Sequence, residues 1–365
     1  MDRDVSLLLD CAAWHGLRQS QVRVEISERF NRHRDADLER HIDHLWAERL
    51  AKEPWLFNGA KFRLHSFQFS SLNTSSSHHF LCSGDSESSH AKSTGARLDN
   101  AIVASEKGEG NELQPKESSD DNYRSEEAVP LLTLRLGLTC YKDYLGTNWS
   151  LRVDELHKRG ESEFGDHLAL LAQPLGVGAV MSTSDGKVVL IRRSQKVAEA
   201  GGLLDIPGGH PEPKVVLESL GQTVCEESIT VTLLQHKPGA VVAELFSSVC
   251  AEIRDEVNVP LQFLGEPVLM GVALNHTSAG RPSAEFHVSC SLTSDEVRTL
   301  YWQGGAEAHE STDIVFITTG EMLHLDLNIP LWAEMCPSAK GAVLLFQKVR
   351  PDRETSARQT SDVQV

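Results

Sequence analysis

The sequence predicts an α/β protein, and three observations carry that expectation. Short apolar segments with strand-like patterning recur along the chain, amphipathic helical stretches lie among them, and no fixed-period repeat is present. Val129–Gly137 alternates well enough for a strand. Leu175–Met181 and Lys187–Ile191 read as two strands around Ser184-Asp185-Gly186, where Asp-Gly signals a hairpin turn. Glu285–Cys290 and Ile314–Ile317 are further strands, while Gly341–Phe346 fits either a late strand or the end of a helix. Nearer the start, Leu38, Ile42, Leu45, Trp46 and Leu50 recur at helical spacing, and Pro54 ends that helix before the apolar cluster Trp55-Leu56-Phe57.

Composition sets the outer limits. The chain has 365 residues and a formal net charge of −17, which at roughly 150 residues per domain suits one large domain or two small ones. That acidic balance argues against a nucleic-acid partner, because phosphate backbones are held by Lys/Arg-rich surfaces. It still permits a small phosphorylated substrate, which needs only one or two placed cations. The 7 cysteines form no CxxC pair, so a reduced compartment is expected: the cytoplasm, with the nucleus left open. No apolar run is long enough to span a membrane, and Val5–Leu9 is too short for the apolar core of a signal peptide. From about residue 70 to 128 the chain is Ser-, Asp-, Glu- and Gly-rich without hydrophobic period, and reads as a disordered insertion. Its His78-His79 pair fits a solvated loop better than a metal site. Residues 351–365 read as a loose tail.

The most informative segment runs from Glu244 to Pro260. Leu245, Val249 and Ile253 form an apolar stripe, and Asn258 followed by Pro260 is a helix-stop signal. On another face, Glu252, Asp255 and Glu256 fall at i, i+3 and i+4, which brings three carboxylates onto neighbouring turns. A solvated acidic face has the same spacing. An oxygen-only cluster also suits Mg²⁺, which binds through one or two carboxylates together with substrate phosphates. Upstream, Asp205-Ile-Pro-Gly-Gly-His210-Pro-Glu212 places a Gly-Gly turn between strand and helix, and such a turn allows close backbone approach to a ligand.

Together these residues resemble the Nudix hydrolase signature, Gx5Ex7REUxEExGU with U a bulky aliphatic. Residues Ala251–Val259 overlay its second half, so that Glu252, Asp255 and Glu256 fall on the family's metal-binding carboxylates. The departures are Ala251 for the motif Arg, Asp255 for its middle Glu, Asn258 for its Gly, and Glu244 one place away from the upstream Glu. A further segment, residues 215–240, separates the Gly-Gly turn from the helix and reads as a loop without clear period. A search by the strict signature is therefore expected to miss this chain. Many further blocks, among them Tyr141–Asn148, Arg192–Ala200, Thr277–Arg281 and Cys336–Gly341, are similar to a UDP-sugar-hydrolysing branch of the family.

The resemblance implies a Nudix α/β/α sandwich with a smaller N-terminal α+β domain. The expected boundaries are 1–69 and 129–173 for the N-terminal domain and 174–350 for the Nudix domain. It implies Mg²⁺-dependent hydrolysis of UDP-glucose and UDP-galactose to UMP and the sugar 1-phosphate. Glu252 and Glu256 are the expected metal ligands, with Asp255 a third. Arg193 is the expected diphosphate clamp, since a guanidinium fork matches phosphate oxygens. Asp205, His210 and Glu212, whose side chains can hydrogen-bond sugar hydroxyls, and the backbone of Ala198 are expected to contact the substrate. Phe57 and Tyr141 are expected at the uracil, with Ser338 at base or ribose. Glu310 is the expected general base and His309 its alternative. Two other functions remain open at this point: hydrolysis of another nucleoside diphosphate such as ADP-ribose, and a nucleotide-sugar sensor that does not cleave.

Overall fold

The computed structural model describes residues 2–70, 131–197 and 199–351. The expected disordered insertion, His78-His79, the tail and Ala198 lie outside the described residues.

Strand β1 (Val5–Asp10) opens the chain, followed by β2 (Val22–Ile26), helix α1 (Ala36–Lys52), β3 (Ala60–Phe69) and β4 (Leu132–Cys140). Two helices come next, α2 (Tyr141–Gly146) and α3 (Val153–Phe164), then β5 (Gly176–Ser182) and β6 (Lys187–Arg193). Two short strands, β7 (Leu204–Asp205) and β8 (Gly208–Gly209), precede α4 (Pro213–Ser219), α5 (Val231–Leu234) and α6 (Pro238–Val257). The chain continues through β9 (Val268–Asn275), β10 (Arg281–Ser289), α7 (Ser294–Gln303), β11 (Ser311–Thr318), α8 (Thr319–His324), α9 (Pro330–Ala333) and α10 (Pro337–Val349).

The large sheet has the order β1-β9-β10-β5-β6-β11, with β7 on β6 and β8 on β5. β5 and β10 are parallel, Gly178 facing Glu285, and the remaining pairs are antiparallel. Successive strand residues point to opposite faces, and both faces here are apolar. Val177, Ala179 and Met181 join the core built on α6, whereas Val180, Val188 and Leu190 join the core built on α10. One helical layer on each face makes this an α/β/α sandwich, as expected.

Helix α6 is covered on two sides. The three-stranded sheet β2-β4-β3 also contributes Val22, Val24, Leu132, Leu134 and Leu136 to the α6 core. Pro238 starts the helix at a position where its missing N–H costs nothing. Asn258 ends it in the left-handed conformation with φ 63°, as its sequence predicts, and its side chain donates to Leu300 O at 2.8 Å.

The structure departs from the sequence reading in three places. The segment expected to loop out before α6 is folded: α4 and α5 bury Val216, Leu217, Val231 and Leu234 in the α6 core. Gly341–Phe346 is helical, within α10. The first residues, placed with the N-terminal domain, supply edge strand β1 to the large sheet, where it pairs with β9. Asp2 fastens it there by accepting from Trp332 Nε1 at 2.7 Å and meeting Lys340 at 2.9 Å.

Because Leu217 is fully buried, Leu217→Ala is expected to cost about 2–5 kcal/mol, the range for truncating a buried Leu. Urea denaturation would check this. A change within the scatter of surface mutations would mean that α4 only rests on the core.

Candidate active site

The site forms where β6, β7, β8 and α6 converge. Glu252 and Glu256 lie one helical turn apart on α6 and face the Gly208-Gly209 turn. The Gly208 amide donates to Glu256 Oε2 at 2.9 Å. At Gly209 a Cβ would stand 2.0 Å from Glu252 Oε1, so the carboxylate occupies the space a side chain would need.

Neither carboxylate is ion-paired among the described residues. Burial pushes Glu256 well above the usual carboxylate range, and the neighbouring charges of Glu252, Asp205 and Glu310 push the same way. Burial pushes Glu252 up to about 7, with Glu307 and Asp255 adding to it. Acidic groups crowded without an ion-pair partner are the environment that a divalent cation relieves. The donor set fits such an ion as a pair, Glu252 and Glu256. Asp255 is held elsewhere, with Arg254 clasping both its oxygens at 2.7 and 2.6 Å. Among the described residues, no group of three or more His, Cys, Asp and Glu side chains is gathered to hold an ion as they stand.

Arg193 and Arg192 point to opposite sides of β6, as strand alternation requires. Arg193 donates to Asp205 Oδ2 at 3.0 Å and to Glu199 O at 3.1 Å, whereas Arg192 takes Gly202 O and Glu334. The other Asp205 oxygen accepts from the Ile206 amide at 2.9 Å and from Ser338 Oγ at 3.0 Å. Asp205 thus links Arg193 on β6 to Ser338 on the first turn of α10.

The N-terminal sheet reaches the same region. Lys61 on β3 meets Glu212 at 2.8 Å, and the Glu212 amide donates to Glu244 Oε1 at 3.0 Å. Burial raises the Glu244 carboxyl to about 7. Tyr141 packs edge-on against Trp46 and stacks on Tyr144. Phe57, two residues before Gly59, remains 68% exposed. The Gly59 carbonyl accepts from the Tyr141 amide at 3.1 Å, which keeps these two aromatics neighbours in the fold.

Glu310 is half-buried next to Glu256, and its carbonyl accepts from the Ser194 amide at 2.7 Å. His309 beside it is exposed.

Four further residues were not singled out by sequence reasoning. Glu307 adds negative charge beside Glu252. Arg281 Nη1 lies 3.3 Å from His210 Nε2 and its Nη2 lies 3.4 Å from Glu199, which also accepts from the Tyr144 hydroxyl. Glu285 is fully buried against Gly178 and pushed up to about 8 by that burial, with the Ser283 hydroxyl opposing the shift. No local spacing betrays any of the four, because the groups that bring them to the site (Glu252, His210, Tyr144 and Gly178) are distant in sequence.

A mouse protein named uridine diphosphate glucose pyrophosphatase NUDT22 is 43% identical over 354 residues, covering 96% of this chain and 93% of its own. The human protein of that name is 41% identical, with 96% and 94% covered. The chain belongs to the Nudix hydrolase family. An Arabidopsis thaliana protein named Nudix hydrolase 9 is similar over the same span at 28% identity. No protein-family model matches this Nudix chain, in keeping with the departures at Ala251, Asp255 and Asn258 and the long segment before α6. A solved Nudix hydrolase from M. smegmatis covers 50% of this chain and 84% of its own at 13% identity, with a TM-score of 0.25, too loose a likeness to carry an argument. The chain is thus a hydrolase of a family whose members generally use a divalent metal. Among its described residues no helix is long and apolar enough to cross a membrane.

Proposed function

We propose that this Nudix hydrolase cleaves the diphosphate bond of UDP-glucose and UDP-galactose, releasing UMP and the sugar 1-phosphate, with Mg²⁺ as its ion. The observation that carries the reading is the pair of carboxylates without an ion-pair partner, Glu256 buried and Glu252 half-buried, against a glycine turn that has Arg193 nearby. The mouse and human relatives, named for UDP-glucose, supply the nucleotide sugar.

Mg²⁺ held by Glu252 and Glu256 would neutralise charge on the diphosphate and lower the pKa of a bound water. The protein's own groups do the rest. Arg193 offers a planar fork to phosphate oxygens, and its link to Asp205 holds that fork in place. Asp255 serves at most as an outer ligand while Arg254 holds it. Glu310 takes the proton of the attacking water as the P–O bond to the leaving phosphate breaks. His210 and Glu212 hydrogen-bond the sugar or phosphates, and Ser338 serves base or ribose. Phe57 and Tyr141 flank the uracil, a contact worth roughly 1–3 kcal/mol per stacked base.

Phosphorus NMR with UDP-glucose and Mg²⁺ tests the reaction. UMP and glucose 1-phosphate are the expected products; UDP and free glucose, or tight binding without turnover, would overturn the reading. Phe57→Ala is expected to raise KM for UDP-glucose about tenfold or more, by loss of stacking, while kcat changes little. An equal fall in kcat would take Phe57 off the base and place it in the chemistry.

A further inference from the structure

Arg281 opens β10, in the interior of the large sheet between β9 and β5. Its guanidinium reaches two other parts of the chain. Nη1 lies 3.3 Å from His210 Nε2 beside the glycine turn, and Nη2 lies 3.4 Å from the Glu199 carboxylate. Glu199 is itself tied to the Tyr144 hydroxyl, and the guanidinium sits 5.9 Å from the centre of the Tyr144 ring. The position of Arg281 is therefore fixed by a carboxylate and an aromatic face, independently of His210.

A guanidinium carries five N–H donors and no acceptor. A hydrogen bond between it and an imidazole nitrogen has only one polarity: the ring nitrogen must accept. A nitrogen that accepts carries no proton. With Nε2 so occupied, the ring keeps its single proton on Nδ1. Among the described residues nothing takes up Nδ1, which leaves it for a ligand.

We propose that Arg281 is a positioning residue that locks His210 in the Nδ1–H tautomer, so that His210 meets the substrate as a hydrogen-bond donor to a sugar or phosphate oxygen. The proposal rests on the reading of His210 as a substrate contact. It also specifies what His210 recognises: an oxygen lone pair, since this tautomer offers no acceptor on the ligand side.

Long-range proton–nitrogen NMR on protein labelled at histidine nitrogen tests the lock without any substrate, with His210→Asn supplying the assignment. The free enzyme is expected to show Nδ1 protonated and Nε2 bare; the opposite pattern overturns the proposal. Arg281→Lys keeps a donor-only cation and should preserve the tautomer. Arg281→Met should release the ring to the Nε2–H form that an unconstrained histidine side chain prefers, and lower kcat/KM for UDP-glucose roughly tenfold or more. An unchanged tautomer in Arg281→Met sinks the lock. A switched tautomer with unchanged turnover sinks the role of Nδ1–H at the substrate. Failure of UDP-glucose as a substrate for the unaltered enzyme would leave the NMR result standing, so the two readings fail separately.

Discussion

Glu256→Gln is expected to cut hydrolysis of UDP-glucose about a thousandfold, because losing an ion-binding charge removes several kcal/mol of transition-state stabilisation at 1.36 kcal/mol per tenfold. The same substitution should make the metal-free protein more stable at pH 8. Glu256 is buried, receives the Gly208 amide and faces three other acidic groups, so its charged form is disfavoured in the fold. The linkage has a definite sign. Where folding raises a carboxyl pKa, the folded state holds more protons than the unfolded one above the ordinary value, and stability falls as pH rises. Glu252 and Glu244 move from 4.5 to about 7 and Glu285 from 4.5 to about 8 in the same direction. The metal-free enzyme should therefore lose stability between pH 4.5 and 8, and Mg²⁺ should restore part of it at the upper end. Thermal unfolding with and without chelator, set beside single-turnover kinetics, checks both halves. Full turnover in Glu256→Gln would place this carboxylate outside the site. Gly209→Ala provides the companion result: its backbone is not in the left-handed region and the nearest atoms to its Cβ are the end of the Glu252 side chain. Activity should fall while the fold persists.

The acidic helix face was legible because an α-helix turns sequence spacing directly into proximity. Glu252 and Glu256 are four apart, and no tertiary contact is needed to place them on one face. The stop at Asn258 is local in the same way. Elements whose identity depends on distant partners were not legible. Gly341–Phe346 is apolar throughout, and only its burial between α8 and the sheet makes it a helix. β1 buries Val5 and Leu9 across a register shift between Leu7 and Leu9 in its pairing with β9, so it lacks clean period-two alternation. In the segment before α6, the buried residues fall in two short helices at Val216-Leu217 and at Val231 and Leu234, too few in either for a helical period to show. The contacts around His210 follow the same rule. Arg281 lies 71 residues from His210 and 82 from Glu199, and Glu199 lies 55 from Tyr144. Thr277–Arg281 stood out as a block, but which of its residues turns toward the glycine loop is decided by the pairing of β10 with β5.

A large effect on stability is expected at Arg63, on β3. Its side chain is wholly enclosed, yet its partners are not carboxylates. The guanidinium donates to three backbone carbonyls: Phe30 at 2.9 Å, Leu168 at 2.9 Å and Leu171 at 3.1 Å. Burial lowers its pKa to about 10, and Arg32 nearby pushes the same way. A buried ion pair can often be replaced by apolar residues without loss, because both charges leave together. That escape does not exist here. Arg63→Met removes the desolvation cost of one cation but leaves the Phe30 and Leu171 carbonyls unpaired, at roughly 1–3 kcal/mol each, and the Leu168 carbonyl with only the Leu171 amide. The carbonyls win on that count, and a loss of about 3 kcal/mol or more is expected. Arg63→Lys should recover only part of it, since one ammonium cannot match a planar fork that serves three carbonyls on two separate segments of backbone. The consequence extends to the site, because the same stretch of β3 joins the two sheets. The Leu64 amide donates to Gln173 O and the Leu175 amide to Phe62 O, just before β5 begins, and Lys61 two residues upstream meets Glu212. Below the unfolding transition, Arg63→Met should therefore raise KM for UDP-glucose more than it lowers kcat. An intact KM in a destabilised variant would show that the small sheet holds Lys61 in place without this staple, and that Arg63 serves stability alone.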